Sequence, residues 1–251
     1  MSVDAHCHID LHSNPGKLLQ ELIDDGVQAV AVTTTPAAFR GSLRFTRKEQ
    51  GIHAALGMHP EVVGSRPKDI NLFTKYINDV QWVGEVGLDG STRFKESWGQ
   101  QLQIFATVLH ECMMAGGKTL SIHSRRAGSE VLDCIEKQPQ AGTPVLHWFS
   151  GSIKELERAI ELGCFFSVNH QMLETKRGLG LLSRIPLTRL LTESDAPFTS
   201  RDHRTIPERL RWCEAEISKV LRLEQLAVTD AIARNFHLLT SSPNEDRSKS
   251  D

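Results

Sequence analysis

Residues 3–9 read VDAHCHI, and this stretch decides the fold because it combines strand-type alternation with a pair of imidazoles. Alternate residues of a strand face the same side, so His6 and His8 point together and Cys7 between them points the other way. Two imidazoles at that spacing can hold one metal ion, although a hydrogen-bonded structural pair would look the same in isolation. Working outward, short apolar, β-branched runs of the same length recur at 27–33, 52–57, 80–86, 118–123, 143–147, 164–168 and 188–193. The segments between them are helical in character. Trp98, Leu102, Phe105, Leu109 and Met113 fall at helical spacing, and Ser152 stands three residues before Glu155 as a capping box. Strands alternating with helices predict a parallel sheet, and eight of them in 251 residues suit a single closed (β/α)8 TIM barrel of the metallo-dependent hydrolase type. The barrel is expected over residues 1–240, with the polar residues 241–251 forming a disordered tail.

Bulk composition excludes several other classes. Hydrophobic residues at 39% and charged residues at 24% describe an ordinary globular protein, and a net charge of -2 provides no broad basic surface for nucleic acid. Any phosphate binding must then come from a local patch or from metals. The five cysteines are widely spaced without a CxxC pair, which argues against a disulfide framework or a structural zinc knot. With no basic region leading into an apolar stretch and no run long enough to span a bilayer, the expected location is the cytoplasm.

The chemistry gathers at the ends of the runs. Glu85 closes the fourth, His123 the fifth and His147 the sixth, and Asp195 lies just beyond the eighth. In a barrel the carboxyl ends of the strands converge on one face, so these residues become neighbours of His6 and His8. Four imidazoles and two carboxylates would be costly to bury unpaired, whereas divalent cations satisfy all of them. The basic run Arg40, Arg44, Arg47 and Lys48 reads as a solvated helix face, and Cys7 as part of the layer between barrel and helices.

The ordered set DAHCHID (4–10), GMHP (57–60), GEVGLD (84–89), IHSR (122–125), HWFSG (147–151), ESDAP (193–197) and the late ARNF (233–236) resembles the TatD-type metal-dependent deoxyribonucleases, over nearly the whole chain. The resemblance implies two divalent ions, zinc, manganese or magnesium. His6, His8 and Asp195 would hold one, His123 and His147 the second, and Glu85 would bridge them. It implies hydrolysis of DNA phosphodiesters, with single strands or ends as the expected partner, by a metal-activated water whose proton Asp195 takes. His59 is implied as a contact to the scissile phosphate, a loop-stabilising role being the alternative. Arg125 and Arg126 follow His123, and one guanidinium can take a phosphate while the other is solvated. Trp148 is expected to pack rather than to stack on a base.

Where family members continue GLD with an aromatic pair, this chain reads Gly90-Ser91-Thr92. That departure, with VTTTP at 32–36 and HWFSG, resembles the TatD-like nuclease subunit of the bacterial Qat anti-phage defence system, which implies an ATPase and a QueC-like protein as partners. Two other readings stand beside a nuclease. One is a barrel hydrolase of small amides, lactones or phosphoesters, which a closed apolar pocket would favour. The other is a non-catalytic defence subunit, which would be expected to lack metal ligands.

Overall fold

Every apolar run forms a strand in the computed structural model, which describes residues 1–199 and 203–241. The strands are β1 (Val3–Cys7), β2 (Gln28–Ala31), β3 (Ile52–Leu56), β4 (Trp82–Gly87), β5 (Lys118–His123), β6 (Gly142–His147), β7 (Phe165–Val168) and β8 (Leu190–Thr192). All neighbouring pairs are parallel and follow chain order, so the sheet winds round as a barrel. Parallel order requires a crossover after each strand. Helices α1 (Pro15–Asp24), α2 (Pro36–Ser42), α3 (Pro60–Val63), α4 (Ile70–Tyr76), α5 (Trp98–Met114), α6 (Gly128–Lys137), α7 (Ile153–Glu161), α8 (His170–Leu173), α9 (Lys176–Leu182), α10 (Ile206–Leu221) and α11 (Gln225–Thr240) supply them. The architecture is the expected (β/α)8 barrel. The tail expected at 241–251 lies, beyond Ser241, outside the described residues.

Among the described residues β8 meets β1 through single bonds rather than a ladder. Thr192 Oγ1 donates to the Val3 carbonyl at 2.6 Å, Asp195 N–H to the His6 carbonyl at 2.9 Å and Ser194 N–H to Asp4 Oδ1 at 2.8 Å. The seam therefore carries the strand ends that bear His6 and Asp195, and the fold closes through its candidate site.

One start signal read in the sequence, at 152–155, is present in the structure, and a second box appears that was not expected. Ser152 and Glu155 form the reciprocal capping box of α7, and Thr205 with Glu208 forms another at α10. Cys7 is fully buried with Leu18, Leu19 and Leu22 of α1, on the side away from the His6 and His8 rings. The apolar positions of α5 pack as core: Phe105 and Leu109 are fully buried with Val108 and Cys112, half-buried Trp98 and Leu102 pack against them, and Met113 is half-buried. Gln101, a polar residue, is buried beside them and exchanges hydrogen bonds with the Asp89 backbone: Asp89 N–H donates to its Oε1 at 2.8 Å and its Nε2 donates to the Asp89 carbonyl at 3.3 Å. One expectation needs correction. The basic run is solvent-facing but is not one helix face. Arg40 lies on α2, whereas Arg44 and Lys48 lie on separate 3-10 turns and Arg47 is half-buried, its guanidinium donating to the Arg44 and Thr46 carbonyls. No helix among the described residues is long and apolar enough to cross a membrane.

Candidate metal centre

Barrel geometry brings His6, His8, Glu85, His123, His147 and Asp195 together at the carboxyl ends of the strands, all but half-buried His123 buried. Glu85 is the hub. Its Oε1 lies 2.7 Å from His123 Nδ1, 2.9 Å from His147 Nε2 and 3.1 Å from His59 Nε2. Its Oε2 faces the other side, 3.2 Å from His8 Nε2 and 3.5 Å from His6 Nε2. Asp195 Oδ1 stands 3.8 Å from each of those two nitrogens. One carboxylate thus has a separate set of donors on each oxygen, although His6 and His147, whose rings stack at 3.9 Å, also come within reach of Glu85 as a single group.

Backbone constraints seat Glu85. Its N–H donates to the Thr33 carbonyl and its carbonyl accepts from Met58 N–H, each at 2.9 Å. Gly57 lies so close to that crossing that a Cβ would stand 1.6 Å from the Thr33 carbonyl oxygen and 2.9 Å from Glu85 N. Any side chain there would displace the strand end that carries Glu85.

The rings are aimed by partners behind them. His6 Nδ1 bonds Ser121 Oγ at 2.7 Å, and with that proton donated, Nε2 presents its lone pair to the cluster. His123 Nε2 bonds Asp89 Oδ2 at 3.0 Å, which leaves Nδ1 for the cluster. His147 Nδ1 faces Glu193 Oε1 at 3.6 Å, and Glu193 is itself fixed by Ser167 Oγ and by Asn169 Nδ2 at 2.9 Å. The turn bearing Asp195, at φ 47°, is tied by Phe198 N–H to the Asp195 carbonyl at 2.8 Å and by Thr199 Oγ1 to the Ser194 carbonyl. Buried Arg209 donates to Thr199 Oγ1 at 3.3 Å behind it.

This donor set fits divalent metal. His6 Nε2 and His8 Nε2 are 3.3 Å apart, about the separation of two ring nitrogens sharing a tetrahedral ion at roughly 2.0–2.1 Å. With His123 Nε2–H given to Asp89, Nδ1 and Glu85 Oε1 are both lone-pair atoms 2.7 Å apart, and such a pair needs a cation or a proton between them. The charges are correspondingly perturbed. Burial opposes ionisation of Glu85, but His59 and His147 outweigh it and hold the carboxyl well below its usual range. Burial pushes Asp195 up to about 7 and pushes His6 well down. His147 is driven well up because Glu85 and Glu193 overcome its burial.

His59 falls within ligand distance of Glu85 and His123, yet its Nδ1 accepts the Glu61 N–H at 3.1 Å as the cap of α3. A neutral ring accepting at Nδ1 carries its proton on Nε2, which then faces the cluster as a donor. The ring therefore stabilises its loop and presents an N–H to the site at once. Exposed Arg125 lines the cavity over the cluster, about 490 Å³, with Thr34, Val62, Trp148, Ser150 and Phe198; Arg126 does not line it. Half-buried Trp148 packs against the core, as expected, while also forming cavity wall. Reading the sequence assigned no role to Asp89, Glu193, Asp4 or Ser121. The first three lay inside quoted motifs, and Ser121 shares a strand face with His123 two residues on.

The profile of the family described as TatD related DNase matches residues 3–241. The chain belongs to that family. It is similar to an Escherichia coli protein named as the uncharacterized metal-dependent hydrolase YjjV, at 26% identity over 96% of this chain and 98% of the relative. It is similar also to human deoxyribonuclease TATDN3, at 27% identity over 78% and 77% of the two chains. The crystal structure of Escherichia coli YjjV superposes with a TM-score of 0.86 at 23% identity, covering 96% of this chain and 98% of that one, and shares its fold. Like the TatD family at large, the chain is a metal-dependent hydrolase, with candidate ligand groups in place at the barrel mouth.

Proposed function

We propose that this protein hydrolyses DNA phosphodiester bonds with two divalent ions, one held by His6, His8 and Asp195, the other by His123 and His147, with Glu85 between them. The observation that carries this reading is the split of Glu85, Oε2 toward His6 and His8 and Oε1 toward His123 and His147. Bound ions supply Lewis acidity, neutralising charge on phosphoryl oxygens and lowering the pKa of a nearby water. The chain's own groups do the rest. His59 Nε2–H and the Arg125 guanidinium bind and orient the phosphate on the cavity wall. Asp195 Oδ1, held by the turn at the β8 end, accepts the proton released by the attacking water. Glu193, Asp89 and Ser121 hold the imidazoles in place. Human TATDN3, a relative named as a deoxyribonuclease, supports DNA as the substrate class.

The narrower role we propose is cytoplasmic anti-phage defence beside an ATPase and a QueC-like protein, supported by the GLDGST and HWFSG departures. Affinity purification of the tagged chain from a host carrying such partner genes should recover both proteins; recovery of neither would sink the defence assignment without touching the chemistry. For the chemistry, metal-stripped protein is incubated with Mg2+, Mn2+ or Zn2+ and labelled single-stranded DNA, duplex DNA, RNA and a small phosphodiester. Metal-dependent DNA cleavage, lost in Glu85→Gln and Asp195→Asn, is the expected result. Cleavage that survives both substitutions defeats the mechanism, and cleavage of the small ester alone transfers the site to the small-molecule hydrolases.

A further inference from the structure

Phe198 is out of place by the physics that sorts the other phenylalanines. Of the ten, eight are buried and Phe94 is half-buried, whereas Phe198 is 60% exposed. Leaving an aromatic ring in water forgoes on the order of 1.5–3 kcal/mol of burial. A frayed loop does not explain it. Ala196 and Thr199 on either side are buried, the Phe198 N–H donates to the Asp195 carbonyl at 2.8 Å, and Thr199 is anchored to Ser194 and Arg209. The ring is thus held out on a hydrogen-bonded turn, three residues after a candidate metal ligand. It stands edge-to-face with His8, centroids 5.1 Å apart, and it lines the same cavity as Arg125 and Trp148.

A cavity with a guanidinium on its wall, a metal-type cluster in its floor and an exposed phenyl ring beside that cluster offers complementary surface to both halves of a nucleotide, the phosphate and the flat base. Building on the DNase reading, we infer that Phe198 is a stacking platform for the base next to the scissile phosphate. Every base has a π-face, so such a platform is sequence-tolerant, and a paired and stacked base must first leave its duplex to reach it.

The test is a two-by-two comparison of kcat/KM on the metal-loaded protein. Wild type, F198A and F198L are measured on a single-stranded oligothymidylate and on an oligonucleotide of equal length made of abasic residues, with F198Y and F198W as conservative rescues. Loss of one stacked base is worth about 5- to 160-fold. F198A and F198L should lose that factor on the oligothymidylate and nothing on the abasic strand, while F198Y and F198W retain activity. Irradiation of a bound strand containing 5-iododeoxyuridine should cross-link to Phe198, a readout that needs no turnover. Equal losses on both strands, or no loss on either, would overturn the platform while leaving the nuclease intact. Should wild type cleave only a small ester and bind no DNA, the DNase reading falls, and the platform with it.

Discussion

The two ends of the barrel are made by the same eight strands and differ in almost every other respect. At the carboxyl ends, five imidazoles crowd round Glu85, within hydrogen-bonding reach or at its limit, with Asp195 just beyond. At the amino ends a larger cavity, about 700 Å³, opens among Gln28, Leu43, Lys48, His53, Trp82 and His237, and among the described residues it holds no group of metal-ligating side chains. Cavity size therefore does not locate the chemistry; convergence of aimed ligand atoms does. The mouth accepts the cost of burying charge, whereas the floor keeps His53 uncharged: burial, assisted by the Lys48 ammonium, lowers it to about 4.

The difference can be broken from the mouth side first. Glu85→Gln removes the group shared by both donor sets and should lower metal-dependent hydrolysis by more than about 1000-fold. Chelation should lower the Tm of wild type, because ions that bind only the folded state stabilise it by mass action, and that shift should shrink in the variant. An unchanged response to chelator would show that Glu85 is not a ligand. Next, His59→Ala should cost about 100-fold in turnover, the usual loss of one aimed donor, with bound metal per chain unchanged by elemental analysis. A lost ion would place His59 among the ligands and break the tautomer argument. Asp89→Asn should cost roughly 10- to 100-fold in metal affinity or activity by releasing His123 from its orienting carboxylate.

The smallest effect on turnover lies at the floor. His53→Gln should leave hydrolysis unchanged and alter only acid stability. A histidine whose folded pKa sits below its ordinary 6.5 takes up more protons when unfolded, so its contribution to stability is present above about 6.5 and is lost as pH falls toward about 4. A plot of Tm against pH should be flatter across that window for the variant. An activity loss in His53→Gln would instead couple the floor to the mouth.

The barrel was legible because its signal is local. Eight runs of strand length, separated by capped helices, leave few other topologies, and the runs matched the strands to within about two residues at each end. The six ligand-type residues were legible by position, each at or just past a strand end. What stayed unread has partners distant in sequence. Gln101 is buried because the Asp89 backbone supplies its hydrogen bonds, and Glu193 gains its place only where Ser167, Asn169 and His147 close around it.

By itself, then, the VDAHCHI stretch with its repeated counterparts determined the barrel, the placement of the candidate metal residues and the outward face of Cys7, because strand alternation and strand-end position are properties of the chain alone. Only the tertiary structure decided that Glu85 divides the cluster between its two oxygens, that His59 offers a proton rather than a lone pair, and that Phe198 is held out beside His8. Those outcomes rest on hydrogen-bond partners and burial contributed by other strands and turns, which no single segment encodes.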